Sequence, residues 1–136
     1  SMITFQKNNK IYFKSLPLRK WLMNIILEEK KECGNIVYFF CDDEFLLNKN
    51  KTYLKHDFYT DVITFDYSSK NCLSGDVLIS VDRIKENAQT YNILFEKELQ
   101  RVMAHAILHL AGYKDKTKKE KKIMREKESY YLKKHK

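Results

Sequence analysis

Asp61-Val62-Ile63-Thr64-Phe65-Asp66-Tyr67 followed by Gly75-Asp76-Val77-Leu78-Ile79 is the stretch that sets the fold. Two runs rich in β-branched and aromatic residues are joined by a polar turn containing Ser68, Ser69, Asn71 and Ser74, which predicts a hairpin. Ser80 then stands as the N-cap of a helix carrying Ile84, Ala88 and Tyr91 at helical intervals. Upstream, 35–41 has the composition of an interior strand, and the polar stretch 42–50 leaves room for a short helix. Further upstream, Leu18, Leu22, Ile25 and Ile26 follow helical spacing after Ser15 as cap and Pro17 in the first turn, predicting a helix over 16–32 that Gly34 ends. Ile3 to Phe5 and Ile11 to Phe13 read as strand pieces. Downstream, a helix is expected over 96–111 before Gly112, and Thr117 with Glu120 forms a T-x-x-E capping box that opens a last helix. Strands cluster between helices, so the expected fold is α+β, a small mixed central sheet of about four strands packed with about five helices.

Composition sets the bounds. The chain has 136 residues, 43% apolar and 13% aromatic, enough for one domain over 1–136 with a compact core and no help from disulfides. With one Pro and three Gly, no linker or repeat is visible. The net charge of +8 is uneven: from Lys114 to Lys136 there are eleven Lys or Arg against four acids, leaving +1 for everything before. That basic C-terminal helix, from about 117, suits an anionic partner such as nucleic acid, and a plain solvated surface equally. Cys33, Cys41 and Cys72 are odd in number and form no C-x-x-C pair, which excludes a disulfide framework or a cysteine-rich zinc module and leaves a reduced, cytoplasmic chain with its thiols as small core residues. No apolar run approaches the roughly 18 residues that span a bilayer, so no membrane role is expected.

The chemistry concentrates on the 96–111 helix. Leu99, Val102, Met103, Ala106 and Leu110 share one face, and His105 and His109 lie together at its edge. Imidazoles at i and i+4 project side by side and can reach one divalent ion. Gly112 permits a left-handed reversal that returns Asp115 towards the same point, giving H-x-x-x-H-x-x-G-x-x-D. An isolated pair of histidines fits an ordinary helix surface; the glycine and the acid at matching spacing favour a metal site. Three such ligands leave a position for water, whose pKa zinc would lower to about 7, the makings of a hydrolytic site. Glu98 shares the histidine stripe but stands about 10 Å of helical rise from His105, which fits a salt bridge better than ligation. Asp61 and Asp76 read first as acids capping the turns where strands begin.

The segment Glu98-Leu99-Gln100-Arg101-Val102-Met103-Ala104-His105-Ala106-Ile107-Leu108-His109-Leu110-Ala111-Gly112-Tyr113 resembles the metal helix of the YbeY family, H-G-x-x-H-x-x-G-Y-D-H. Thr60-Asp61-Val62-Ile63-Thr64-Phe65 resembles that family's T-D-V-L-S-F strand, and Ser74-Gly75-Asp76-Val77-Leu78-Ile79-Ser80 its G-D-I-x-I-S strand, all in the expected order. The resemblance implies a metal-dependent, single-strand-specific endoribonuclease of ribosomal RNA maturation, with His105, His109 and Asp115 as metal ligands. Three departures stand out. Ala106 replaces the usual Gly, which a helix interior favours. Lys114 replaces the usual acid and Asp115 the third histidine; a carboxylate is harder and anionic, so zinc remains the first choice while manganese and magnesium gain ground. Leu54 stands where the family carries an arginine that handles RNA, and Leu54 cannot bind phosphate. Lys55 or His56 next door could supply the cation, His56 being also the one candidate for a catalytic side chain, and Lys116 is a further candidate RNA contact.

Two competitors share these residues. A metzincin-like metalloprotease has the same ligand spacing, but peptide hydrolysis there needs a Glu directly after the first histidine, and this chain has Ala106. A non-catalytic ribosome-assembly factor, with the metal serving structure only, is kept open by Leu54.

Overall fold

The computed structural model describes residues 2–7 and 15–135, without the side chains of 15 and 16. In chain order the elements are β1 (Ile3–Lys7), α1 (Ser15–Glu28), β2 (Glu32–Cys41), α2 (Asp43–Lys49), a π-helical turn (Asn50–Leu54), β3 (Val62–Asp66), β4 (Cys72–Ser80), α3 (Val81–Tyr91), α4 (Phe95–Leu110) and α5 (Lys118–Lys134). Four strands and five α-helices among the described residues agree with the α+β expectation. The expected strand piece at Ile11 to Phe13 and the capping side chain of Ser15 lie outside the described residues.

The sheet order is β1-β2-β4-β3, so β3 forms one edge. β1 and β4 run parallel to β2, while β3 and β4 form the expected antiparallel hairpin with Ile63 opposite Leu78 and Phe65 opposite Asp76. Alternation along each strand separates two apolar faces. Ile36, Tyr38 and Phe40 of β2 join Val77 and Ile79 of β4 in the main core, where α1, α4 and α5 pack through residues such as Leu22, Ile26, Val102, Met103 and Met124. On the other face Cys41, Ile63 and Leu78 form a smaller cluster under Leu46 of α2. The buried polar tips are satisfied: the Tyr38 hydroxyl donates to the Met103 carbonyl at 2.8 Å and the Trp21 indole N–H to that of Tyr131 at 2.9 Å.

The first helix stops earlier than its sequence suggests. α1 ends at Glu28, Lys30 takes the left-handed conformation with φ of 60°, and Glu32 already pairs with Cys72. Gly34 therefore lies within β2, not at a helix end; a Cβ there would sit 2.9 Å from the Leu73 carbonyl. The pairing of β2 with β4 claims residues whose own apolar periodicity ran out at Ile26. Asp76 likewise sits inside β4 rather than at its start, because that strand begins at Cys72. All three cysteines are free, but only Cys41 is fully buried, whereas Cys33 and Cys72 are partly exposed. No helix among the described residues is long and apolar enough to cross a membrane.

Candidate active site

Between the edge strand β3 and α4 lies a cavity of about 420 Å³ lined by Leu54, Asp61, Thr64, Arg101, His105, His109 and Asp115, with others. Local sequence explains how each arrives. Arg101, His105 and His109 stand at i, i+4 and i+8, one stripe of α4. α4 then ends in a hook: Gly112 has φ of 109°, and the Gly112 and Tyr113 amides return to the carbonyls of His109 and Leu108, both at 3.0 Å. The reversal is pinned on its far side by the predicted capping box, in which Thr117 Oγ1 accepts from the Glu120 amide at 3.1 Å and Glu120 accepts from the Thr117 amide at 2.9 Å. Asp115, held between these two fixtures, points its carboxylate inward, with Oδ2 3.3 Å from His105 Nε2. Leu54 is set by the π-helical turn, anchored where the buried Asn50 amide group donates to the Phe58 carbonyl at 3.0 Å.

Behind the lining runs an ionic chain. Glu98, fully buried, grips Arg101 through two bonds, Nε to Oε1 at 2.9 Å and the second guanidinium nitrogen to Oε2 at 2.8 Å. This is the salt bridge expected of Glu98. Arg101 also donates to Glu128 at 3.1 Å, and its guanidinium stands 4.0 Å from Asp61. Glu128 in turn holds His105 Nδ1 at 2.7 Å. Burial would raise the Glu128 pKa, yet the bonds from His105 and Arg101 bring it below the usual range. Asp61 goes the other way: its burial outweighs the nearby Arg101 and His105 charges and raises its pKa. Asp61 accepts from Asn87 at 3.3 Å and faces the cavity, so it is a site residue and not merely a turn cap.

Arg101, Glu128 and the orientation of Asp61 were missed in the sequence. Two signals were available. Arg101 continues the His105 and His109 stripe by one turn, and Glu128 falls on the inward stripe of α5 with Met124 and Tyr131, where an unpaired acid would be costly. That same stripe leaves Ile123 to one side, 39% exposed. Lys55, His56 and Lys116 are exposed and outside the lining of the cavity; the His56 ring stacks on Phe58 at 5.1 Å.

Among the described residues no three His, Cys, Asp or Glu side chains form a ready cluster for a metal ion. The donor chemistry nonetheless fits one. Two ligands about 2.1 Å from a tetrahedral ion stand roughly 3.4 Å apart, close to the spacing of His105 Nε2 and Asp115 Oδ2. With Nδ1 taken by Glu128, Nε2 is the nitrogen presented to the cavity, the usual arrangement for a metal-binding histidine. Asp61, Glu98, Glu128 and Asp115 outnumber the one guanidinium, so the site has an anionic surplus that a cation would relieve.

A cavity at the edge of a mixed sheet that combines a histidine stripe, inward carboxylates and one arginine has the makings of a hydrolytic active site on an α+β fold. The match to known proteins is specific. The family model described as Endoribonuclease YbeY covers residues 3–136. A Flavobacterium johnsoniae protein named Endoribonuclease YbeY is 51% identical over 108 residues, 79% of this chain and 78% of the relative. One of the same name from Karelsulcia muelleri is 46% identical over 128 residues, 94% of this chain and 87% of the relative. The solution structure of TM1509 from Thermotoga maritima superposes with a TM-score of 0.69 at 29% identity, covering 96% of this chain and 87% of that one. The chain belongs to the YbeY family of endoribonucleases.

Proposed function

We propose that this chain is a metal-dependent endoribonuclease that cuts single-stranded RNA, ribosomal RNA first among its substrates, in the cytoplasm. The observation that carries the reading is the inward turn of Asp115 to within 3.3 Å of His105 Nε2, inside the cavity that His109 also lines. His105, His109 and Asp115 would hold one divalent ion, zinc being the best match to two imidazoles and a carboxylate. Such an ion supplies Lewis acidity, polarising a phosphoryl oxygen and acidifying water.

The chain's own residues do the rest. Glu128 fixes the His105 ring through Nδ1 and is itself braced by Arg101, so the imidazole need not reorient when substrate arrives. Arg101 spends its charge on Glu98 and Glu128, which makes it a positioning group more than a phosphate clamp. Lys55 and Lys116, chain neighbours of the lining residues Leu54 and Asp115, offer cations to the RNA backbone at the rim, and the basic face of α5 adds long-range attraction.

The test compares wild type with Asp115→Ala. Elemental analysis of protein purified without chelator is expected to find a divalent ion in the wild type and little in the variant, and only the wild type should shorten single-stranded RNA. Cleavage of casein would turn the reading to a protease, and tight RNA binding with unchanged RNA length to an assembly factor.

A further inference from the structure

A second cavity, about 440 Å³, opens on the opposite face of the sheet, and nothing in the proposed chemistry uses it. Its walls are aromatic: Phe45, Tyr53, Phe65 and Tyr67 line it, with Lys49 and Asp76 as its charged groups. Tyr53 and Tyr67 are 59% and 62% exposed, an unusual outlay of large rings in water. Tyr53 stands edge-on to Phe65 with centroids 5.8 Å apart, and Lys49 Nζ lies 5.3 Å from the Phe45 ring and 5.4 Å from that of Tyr53.

We propose that this aromatic cavity receives one unstacked base of the RNA strand that the catalytic cavity cuts, and that it favours guanine, the base with two adjacent N–H donors on its Watson–Crick edge. The inference rests on the nuclease reading for the identity of the strand. The closeness of the two cavities across one strand is its main support. Thr64 lines the catalytic cavity and Phe65 the aromatic one; Leu54 lines the first and Tyr53 the second. One edge strand and one π-helical turn therefore separate them, and among the described residues no strand lies beyond β3 to block a nucleotide chain passing over its edge. A base is the matching occupant because every base has a π-face for aromatic rings, while Lys49 at the same rings supplies a cation for the phosphate that accompanies it. Asp76 adds selectivity: its carboxylate, touched by the Tyr67 hydroxyl at 3.4 Å, only accepts when ionised, so it suits the two adjacent donors of guanine and opposes the carbonyls of uracil.

The test is an abasic scan. Fluorescence anisotropy measures binding of a labelled single-stranded RNA containing guanine, intact or with one base deleted at successive positions, to wild type, Tyr53→Ala, Tyr53→Phe and Asp76→Asn. One abasic position is expected to weaken wild-type binding about fivefold or more, the scale of a lost base stack. The same deletion should cost Tyr53→Ala little, Tyr53→Phe should behave as wild type, and Asp76→Asn should lose the preference for guanine over uracil at that position. Tyr53→Ala binding intact RNA as tightly as wild type, as a pocket for a protein partner would give, overturns the proposal. So does a loss in Tyr53→Ala that is equal at every abasic position. Wild type that shows the Tyr53-dependent position but cuts no RNA would sink the nuclease reading and leave the base pocket standing.

Discussion

Gly75 and Gly112 are needed for different reasons. A Cβ on Gly75 would stand 2.5 Å from the Phe65 carbonyl and 3.1 Å from Leu110 Cδ2, both fixed by the hairpin and the end of α4. Gly75→Ala should lower unfolding free energy by about 2 kcal/mol in urea titration, the scale of overpacking in a closed site. At Gly112 a Cβ would meet nothing within 4 Å, and only the backbone angle, φ of 109°, resists a side chain. Gly112→Ala should therefore cost about 1 kcal/mol. Glu128 presents a third case. Its side chain is 2% exposed and joins Arg101 to His105, so Glu128→Ala leaves Arg101 with Glu98 but takes the partner from His105 Nδ1, and should cost about 2 kcal/mol by the same titration, more than a surface acid.

Helix α5 is polar over most of its surface, and besides its buried Met124, Glu128 and Tyr131 its attachment uses its N-terminal cap and an acid in the turn just after α1. The Thr117 cap is worth about 1 kcal/mol, and Thr117→Ala should show that loss in thermal or urea unfolding. The acid is Glu29, which accepts from the hydroxyls of Tyr113 and Tyr131 and from Lys127 at the C-terminal end of α1. Burial alone would raise its pKa, but these three donors hold it below the usual carboxylate range. A carboxyl depressed in the folded state contributes stability that is whole above its unfolded pKa and lost as pH falls through the folded value. Melting temperature should therefore drop as pH falls from about 4.5, and Glu29→Gln, less stable at neutral pH, should show a shallower drop; equal slopes would exclude this contribution. Nothing in the local sequence announces such a junction, since Glu29 and Tyr131 are separated by 102 residues.

At the scale of the whole molecule, the metal reading predicts that dialysis against a chelator lowers both RNA cleavage and melting temperature and that zinc restores both, because an ion bound only by the folded state stabilises it by mass action. The elements were largely legible beforehand: the hairpin by its β-branched runs, α3 by Ser80, α4 by its apolar face, α5 by its capping box. These signals are local, carried by periodicity and by caps a few residues apart. Histidine spacing on one helix and the glycine hook were legible for the same reason, since both are set within a turn or two of chain. What the sequence by itself determined is thus the set of elements and the His105, His109 and Asp115 pattern. Only the tertiary structure decided that α1 yields to β2 after Glu28, that Glu128 reaches His105 across 23 residues, and that one edge strand carries a polar cavity on one face and an aromatic one on the other. Those outcomes come from strand pairing and burial between distant segments, where the partner that satisfies a charge or claims a strand is chosen by packing and not by its neighbours in the chain.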